Sequence, residues 1–201
     1  MYIIGLNGSP NEYGNTYYLL NQILEICKKK GAKTEIINVP KIINSAKLSF
    51  CTACSSPCQG VCFKDTALEE AYNKLKSANG ILIGSPVYFG TVSAQLKAFF
   101  DKSRKLRTEK AFINLVGAAV TVGASKYGGQ ETTIKAIHDM MLVQGMIIIG
   151  DGHVDHDAGH HGVSAQRPAE KDEFAKKRIE VLANRIFEVS NAIKNADLRK
   201  N

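Results

Sequence analysis

The sequence predicts an α/β fold with a doubly wound, five-stranded parallel sheet in the order 2-1-3-4-5 and helices on both faces. Three observations predict it. Five short apolar runs alternate with runs that carry apolar residues at helical spacing. The central runs, 80–85 and 111–122, hold almost no polar residue, as strands covered on both faces must. The unusual residues fall in the loops that follow strands, where ligands bind in sheets of this kind.

Each element follows from local chemistry. The apolar run 2–6 is strand 1 and ends at a glycine-rich turn. Residues 16–30 carry Leu19, Leu20, Ile23, Leu24 and Cys27 on one helical face, and Gly31 closes that helix. The β-branched run 34–39 is strand 2, ending at Pro40. Thr66-Ala-Leu-Glu69 has the form of a capping box and opens a helix to about Ser77. Strand 3 spans 80–85, a helix spans 93–104, strand 4 spans 111–122, a helix spans 130–144, and strand 5 spans 146–149. The tail from Ala169 to about Asn195 reads as one long amphipathic helix. A single domain over 1–201 is expected, with a cysteine-rich insert at 50–63.

Composition narrows the function classes. Of 201 residues, 44% are hydrophobic and 22% charged, which sets the chain among folded globular proteins and apart from disordered ones. No run approaches the ~20 apolar residues of a membrane span, and Met1 leads straight into strand 1 without a secretory signal. A cytoplasmic protein with no membrane role is expected. The net charge of +7 comes from lysines and arginines spread along helices, without aromatic interleaving or a nucleic-acid motif. It is read as a solvated surface, so no nucleic-acid partner is expected.

Three loops carry the chemistry. After strand 1, Gly8-Ser9-Pro10-Asn11-Glu12-Tyr13-Gly14-Asn15-Thr16 runs into a helix, so backbone N–H groups and the helix dipole face an anion. The loop has no Lys or Arg, and neither the Gly-Lys-Ser/Thr ending of a nucleoside-triphosphate loop nor Gly-x-Gly-x-x-Gly. Ser9, Pro10, Gly14, Asn15 and Thr16 are its candidate phosphate residues. After strand 3, Pro86, Val87, Tyr88, Phe89 and Gly90 set aromatics at a strand end, where a flat ring needs an apolar wall and backbone donors. After strand 4, Gly123, Tyr127, Gly128 and Gly129 permit close backbone approach to the same ring.

Four of the five cysteines lie within twelve residues: Cys51, Cys54, Cys58 and Cys62, spaced C-x2-C-x3-C-x3-C. Such crowding suits a [4Fe–4S] cluster. Zinc is the rival, although its structural sites usually split into two distant pairs, and disulfides or idle thiols complete the alternatives. Because the segment follows strand 2, it is expected at the same sheet edge as the ring loops. Cys27 is a core residue. The stretch 151–161 collects four histidines and three aspartates. It is read as a polar loop closing over the ligand or forming an oligomer contact, with a metal site as the alternative.

With these residues together, residues 1–150 resemble the iron–sulfur flavoprotein family, within the flavodoxin-like NAD(P)H-dependent FMN reductases and quinone reductases. The resemblance rests on Gly8-Ser-Pro with Gly14-Asn-Thr16, the cysteine segment, Gly84-Ser-Pro-Val-Tyr-Phe-Gly90 and Gly128-Gly-Gln-Glu131. One spacing departs from the family: three residues stand between Cys54 and Cys58 where it has two. The resemblance implies a flavodoxin-like fold, one FMN and one [4Fe–4S] cluster per subunit, and a homodimer or homotetramer. It also implies electron transfer from a ferredoxin-like donor to an acceptor, with cluster and flavin of neighbouring subunits approaching one another. Two other functions fit the same residues: an NAD(P)H-dependent FMN or quinone reductase without a cluster, and a flavodoxin-type electron carrier.

Overall fold

The computed structural model describes residues 1–199. Strand β1 (Tyr2–Asn7) lies between β2 (Lys33–Asn38) and β3 (Gly80–Pro86), and β3 pairs in turn with β4 (Val116–Gly123), all in parallel. β1, β3 and β4 are central because they can lose water on both faces. In β3, Leu82 packs to one side while Ile81 and Ile83 pack to the other. The expected order 2-1-3-4-5 is present.

The fifth position is made of two pieces. β5 (Ile147–Ile148) pairs with the start of β4, opposite Val116 and Gly117. β6 (Val163–Gln166) pairs with the end of β4, from Val120 to Gly123. The stretch between strand 5 and the last helix, for which no strand was expected, therefore contains one. Period-two alternation in Val-Ser-Ala-Gln is too short to announce itself against its polar flanks.

Helices α1 (Asn15–Lys29) and α7 (Glu173–Asn195) cover one face, joining Leu19, Leu20 and Ile23 to Ile179, Leu182 and Ile186. On the other face, α3 (Ala67–Ser77), α4 (Ala94–Lys102) and α6 (Gln130–Leu142) bring in Tyr72, Phe99 and Ile137. Two short helices, α2 (Val39–Ser45) and α5 (Arg104–Thr108), complete that layer. Gly31 closes α1 at φ +93°, where any side chain is strained.

Several boundaries moved. Pro40 does not end an element but opens α2, in the first turn, where its missing N–H costs nothing. The strand expected over 111–122 begins at Val116, because residues 111–114 form a turn. The helix expected over 93–104 breaks at Ser103 into α4 and α5. The last helix starts at Glu173, capped by Asp172, after a single 3-10 turn at Ala169–Lys171. Thr66 caps α3 by accepting from Leu68, while the Glu69 carboxylate accepts from the Asp65 N–H, a shifted form of the expected capping box. Among the described residues, no helix is long and apolar enough to cross a membrane.

Candidate functional site

The loops after β1, β3 and β4 leave the carboxyl ends of adjacent strands, on either side of the point where the chain reverses its winding direction. Backbone contact holds the first two together. The Gly8 N–H donates to the Gly84 carbonyl at 2.8 Å, and a Cβ on Gly8 would stand 2.8 Å from that same oxygen. Ser93, fully buried, donates its hydroxyl to the Gly8 carbonyl at 2.6 Å and accepts from Leu96 to cap α4. Its own N–H donates to Ser85 Oγ at 3.0 Å. One serine thus joins two ligand loops and a helix.

The loop between β1 and α1 is folded by its own side chains. The Ser9 N–H donates to Asn7 Oδ1, Ser9 Oγ accepts from the Asn11 N–H, and Asn7 Nδ2 donates to the Glu12 carbonyl. Gly14 precedes α1 with no side-chain cap, and the first turn carries no acidic residue. The N–H groups of that turn therefore await an acceptor, and the dipole favours a negative one. Ser9 and Thr16 are buried beside them, and Pro10 lies exposed at the turn. Asn15 also reaches across the fold, where its Oδ1 accepts the Ala169 N–H at 2.7 Å and ties this loop to the segment after β6. These neutral donors at an uncapped helix fit the phosphate of FMN.

The ring loops meet edge to edge. Tyr88 and Thr91 exchange backbone hydrogen bonds at 2.9 and 3.1 Å around Phe89 and Gly90, both at positive φ, which makes a two-residue turn. Phe89 stands fully in solvent and Tyr127 is 90% exposed, so both aromatics are free to cover a ligand. The Val87 N–H donates to the Val122 carbonyl of β4, leaving Pro86 at the strand end. Gly129, at φ +98°, approaches so closely that a Cβ would lie 3.0 Å from the Gly90 Cα.

Gln130 is a candidate site residue to which sequence reasoning gave no role. Buried at the start of α6, it accepts from the Gly128 N–H at 2.9 Å and donates to the Ser125 carbonyl at 2.6 Å. Its amide fills the space beside Gly123 where a Cβ would sit. The signal was present as a polar residue that follows a glycine pair directly into an apolar helix.

The cysteine segment does not remain at the strand ends. α2 intervenes after β2, and the segment runs across the helical layer. Gly60 packs on Lys105 of α5, and Phe63 packs edge-on against Tyr72 of α3 at 5.1 Å. All four thiols are free, with Cys54 exposed and the others half-buried. Tyr72 is buried beneath them and donates to the Phe99 carbonyl at 2.7 Å. Burial pushes its phenol pKa up, and the neighbouring thiols of Cys62, Cys51 and Cys58 add to that. Among the described residues, no three metal-ligating side chains meet at one point. A cluster takes one thiolate at each of its separate irons, and four free thiols in twelve residues fit that donor set.

The His/Asp stretch is held by ion pairs. Asp151 and Asp157 both engage Arg178, and His153 Nε2 lies 2.9 Å from Glu188. It closes against α7 through Arg178 and Glu188.

Known proteins resemble this chain in sequence and in fold. The profile of the family described as NADPH-dependent FMN reductase matches residues 1–161. An iron-sulfur flavoprotein of Methanosarcina thermophila is 38% identical over 201 residues, covering 98% of this chain and all of that one. One from Methanocaldococcus jannaschii is 40% identical over 197 residues, covering 96% of this chain and all of that one. A WrbA-like flavodoxin from Agrobacterium tumefaciens superimposes with a TM-score of 0.66 at 18% identity, covering 95% of this chain and 96% of that one, which establishes the flavodoxin-like fold.

Proposed function

Because the chain belongs to the NADPH-dependent FMN reductase family of oxidoreductases, we propose that it binds FMN and a [4Fe–4S] cluster and passes electrons from a ferredoxin-like donor to an acceptor. The observation that carries this reading is four free thiols within twelve residues, in a chain that also has the uncapped α1 terminus and aromatic ring loops.

Bound FMN supplies exchange between one- and two-electron steps. The protein's own part is positioning. The α1 N–H groups, with Ser9, Thr16 and the free amide of Asn15, hold the phosphate. Pro86–Gly90 and Tyr127–Gly129 frame the ring, and Gly123 with Gln130 keeps the second loop closed beneath it. Cys51, Cys54, Cys58 and Cys62 hold the cluster, with Tyr72 and Phe63 excluding water from its inner side. In one chain the cysteine segment lies on the helical layer while the ring loops lie at the strand ends. That separation favours a homodimer or homotetramer in which one subunit's cysteines meet its partner's flavin loops.

The test is anaerobic purification followed by paired iron, sulfide and flavin analysis. About four iron and four sulfide per FMN is the expected result. FMN without iron, together with turnover on NAD(P)H, overturns the cluster and leaves an FMN or quinone reductase. That second reading is favoured by the family profile.

A further inference from the structure

Among the described lysines, Lys102 alone is buried, with 2% exposure in the last turn of α4. The lysines that form ion pairs keep 39–63% of their side chains exposed, whereas Lys102 is in none. Nor does its ammonium donate a hydrogen bond among the described residues; those that do are Lys74, Lys76, Lys97 and Lys176. A buried ammonium without a partner is costly, and lysines are rarely buried unless paired. The acids close to it in sequence are already taken. Asp101 pairs with Lys97 at 2.5 Å, and Glu109 pairs with Lys76 at 3.3 Å and Lys105 at 3.7 Å.

The helical period shows what covers Lys102. The Ser103 N–H donates to Phe100 and the Arg107 N–H to Ser103, so the helical course continues from α4 into α5. Phe99, Lys102 and Lys105 follow at three-residue steps and lie along one flank. Phe99 packs against the Tyr72 ring at 4.9 Å, and a Cβ on Gly60 would stand 2.7 Å from Lys105 Cδ. Tyr72 lies beneath Cys51, Cys58 and Cys62, and Gly60 stands between Cys58 and Cys62 in the chain. The other flank faces the end of α6, where Ser103 accepts from Gln144 at 2.7 Å. Lys102 is therefore bracketed by two residues that touch the floor and the backbone of the cysteine segment.

We propose that Lys102 is the counter-cation of the iron–sulfur site, offsetting the charge of the four thiolates and raising the potential at which the cluster accepts an electron. This rests on the cluster of the proposed function. Net charge around a cluster is one of the levers that set its potential. Reduction adds one electron from the ferredoxin-like donor and no proton, and the ammonium keeps all its hydrogens. A fixed cation shielded from water favours the more negative, reduced state.

The experiment is an anaerobic redox titration of the parent, Lys102→Met and Lys102→Arg, with the reduced cluster read by electron paramagnetic resonance. Each protein is also analysed for iron, sulfide and FMN. Met fills the buried stem without the charge, and Arg keeps the charge. Lys102→Met is expected to hold its cofactors as the parent does and to shift the equilibrium against the reduced cluster roughly tenfold, 59 mV for one electron. Lys102→Arg is expected to restore most of that shift. An unaltered potential in Lys102→Met overturns the proposal, as does a Lys102→Arg that shifts equally far. If Lys102→Met loses the cluster, Lys102→Arg decides. Iron retained there at the parent's potential supports the counter-charge; iron lost there too assigns Lys102 to packing and overturns it. A parent that binds FMN without iron refutes the proposed function and this inference with it, whereas iron-bearing variants at the parent's potential refute this inference alone.

Discussion

Arg178 Nε lies 2.5 Å from Oδ2 of Asp151, a carboxylate with no solvent exposure. The same guanidinium reaches the Asp151 carbonyl and grips both oxygens of Asp157 at 2.8 and 3.0 Å. Asp151 also accepts the His160 N–H. One arginine on α7 thus ties both ends of the excursion between β5 and β6. That excursion lets two short strands share the fifth position, and it delivers Ala169 to Asn15 at the start of α1.

Replacing Arg178 with Ala leaves Asp151 buried and unpaired, which costs about 3–5 kcal/mol, a large share of a typical domain's ~5–15 kcal/mol. The urea midpoint is expected to fall accordingly. Arg178→Met with Asp151→Asn removes both charges and recovers much of the loss. If the single variant loses less than about 1 kcal/mol, the clasp is not stabilising the fold.

The clasp also sets an acid limit. The Arg178 hydrogen bond holds the Asp157 carboxyl below the usual carboxylate range. A depressed folded pKa contributes stability above the unfolded value of 3.8, and the contribution is lost as pH falls through the folded value. Asp157→Asn is expected to flatten the stability profile below pH 4 relative to the parent, followed by thermal unfolding across that range. An unchanged acid limb counts against Asp157 as part of it.

The sheet was legible because both of its periodicities are long and unmixed. Ile81, Leu82 and Ile83 need burial on two faces, and Leu19, Leu20 and Ile23 need it on one. The loops were legible because Gly8 and Gly129 are required by close backbone approach and Gly84 by the packing of Thr16 and Leu20. β6 was not legible, since only Val163 and Ala165 mark its buried face and its pairing is set 43 residues away in β4. Gln130, Ser93 and Arg178 were missed for a shared reason. Each is polar, and its role depends on partners distant in sequence: Ala165 for Gln130, Gly8 for Ser93, Asp151 for Arg178. The cysteine segment was identified by spacing but misplaced, because the helix opened by Pro40 redirects the chain.

Cys27 separates from the other thiols by environment. It is fully buried on α1, and burial pushes its thiol up to about 12. A thiol raised in the folded state contributes less stability once pH exceeds its unfolded value of 9.0, because only the unfolded chain then ionises. With any bound metal removed, a neutral thiol reagent at pH 8 is expected to modify only Cys51, Cys54, Cys58 and Cys62. Cys27 reacts at a comparable rate only in denaturant. Mass mapping that finds Cys27 modified in the native protein would falsify its placement in the core.

Ser93 is the residue whose loss most directly tests how the ligand loops are held. Ser93→Ala removes the α4 cap, worth about 1 kcal/mol, and leaves the buried Gly8 carbonyl without its donor, at about 1–3 kcal/mol. Ser93→Thr keeps the hydroxyl and is expected to restore most of both. The two losses separate by measurement. The cap acts on global stability, read from the urea midpoint. The Gly8 bond sets the entry to the phosphate loop, read from the FMN dissociation constant by flavin fluorescence. Ser93→Ala is expected to weaken FMN binding about tenfold or more, since freeing Gly8 lets the donors Ser9 and Thr16 drift from the α1 terminus. A variant that loses stability but binds FMN as tightly as the parent confines Ser93 to capping α4, and then the Gly8–Gly84 backbone bond alone holds the two loops in register.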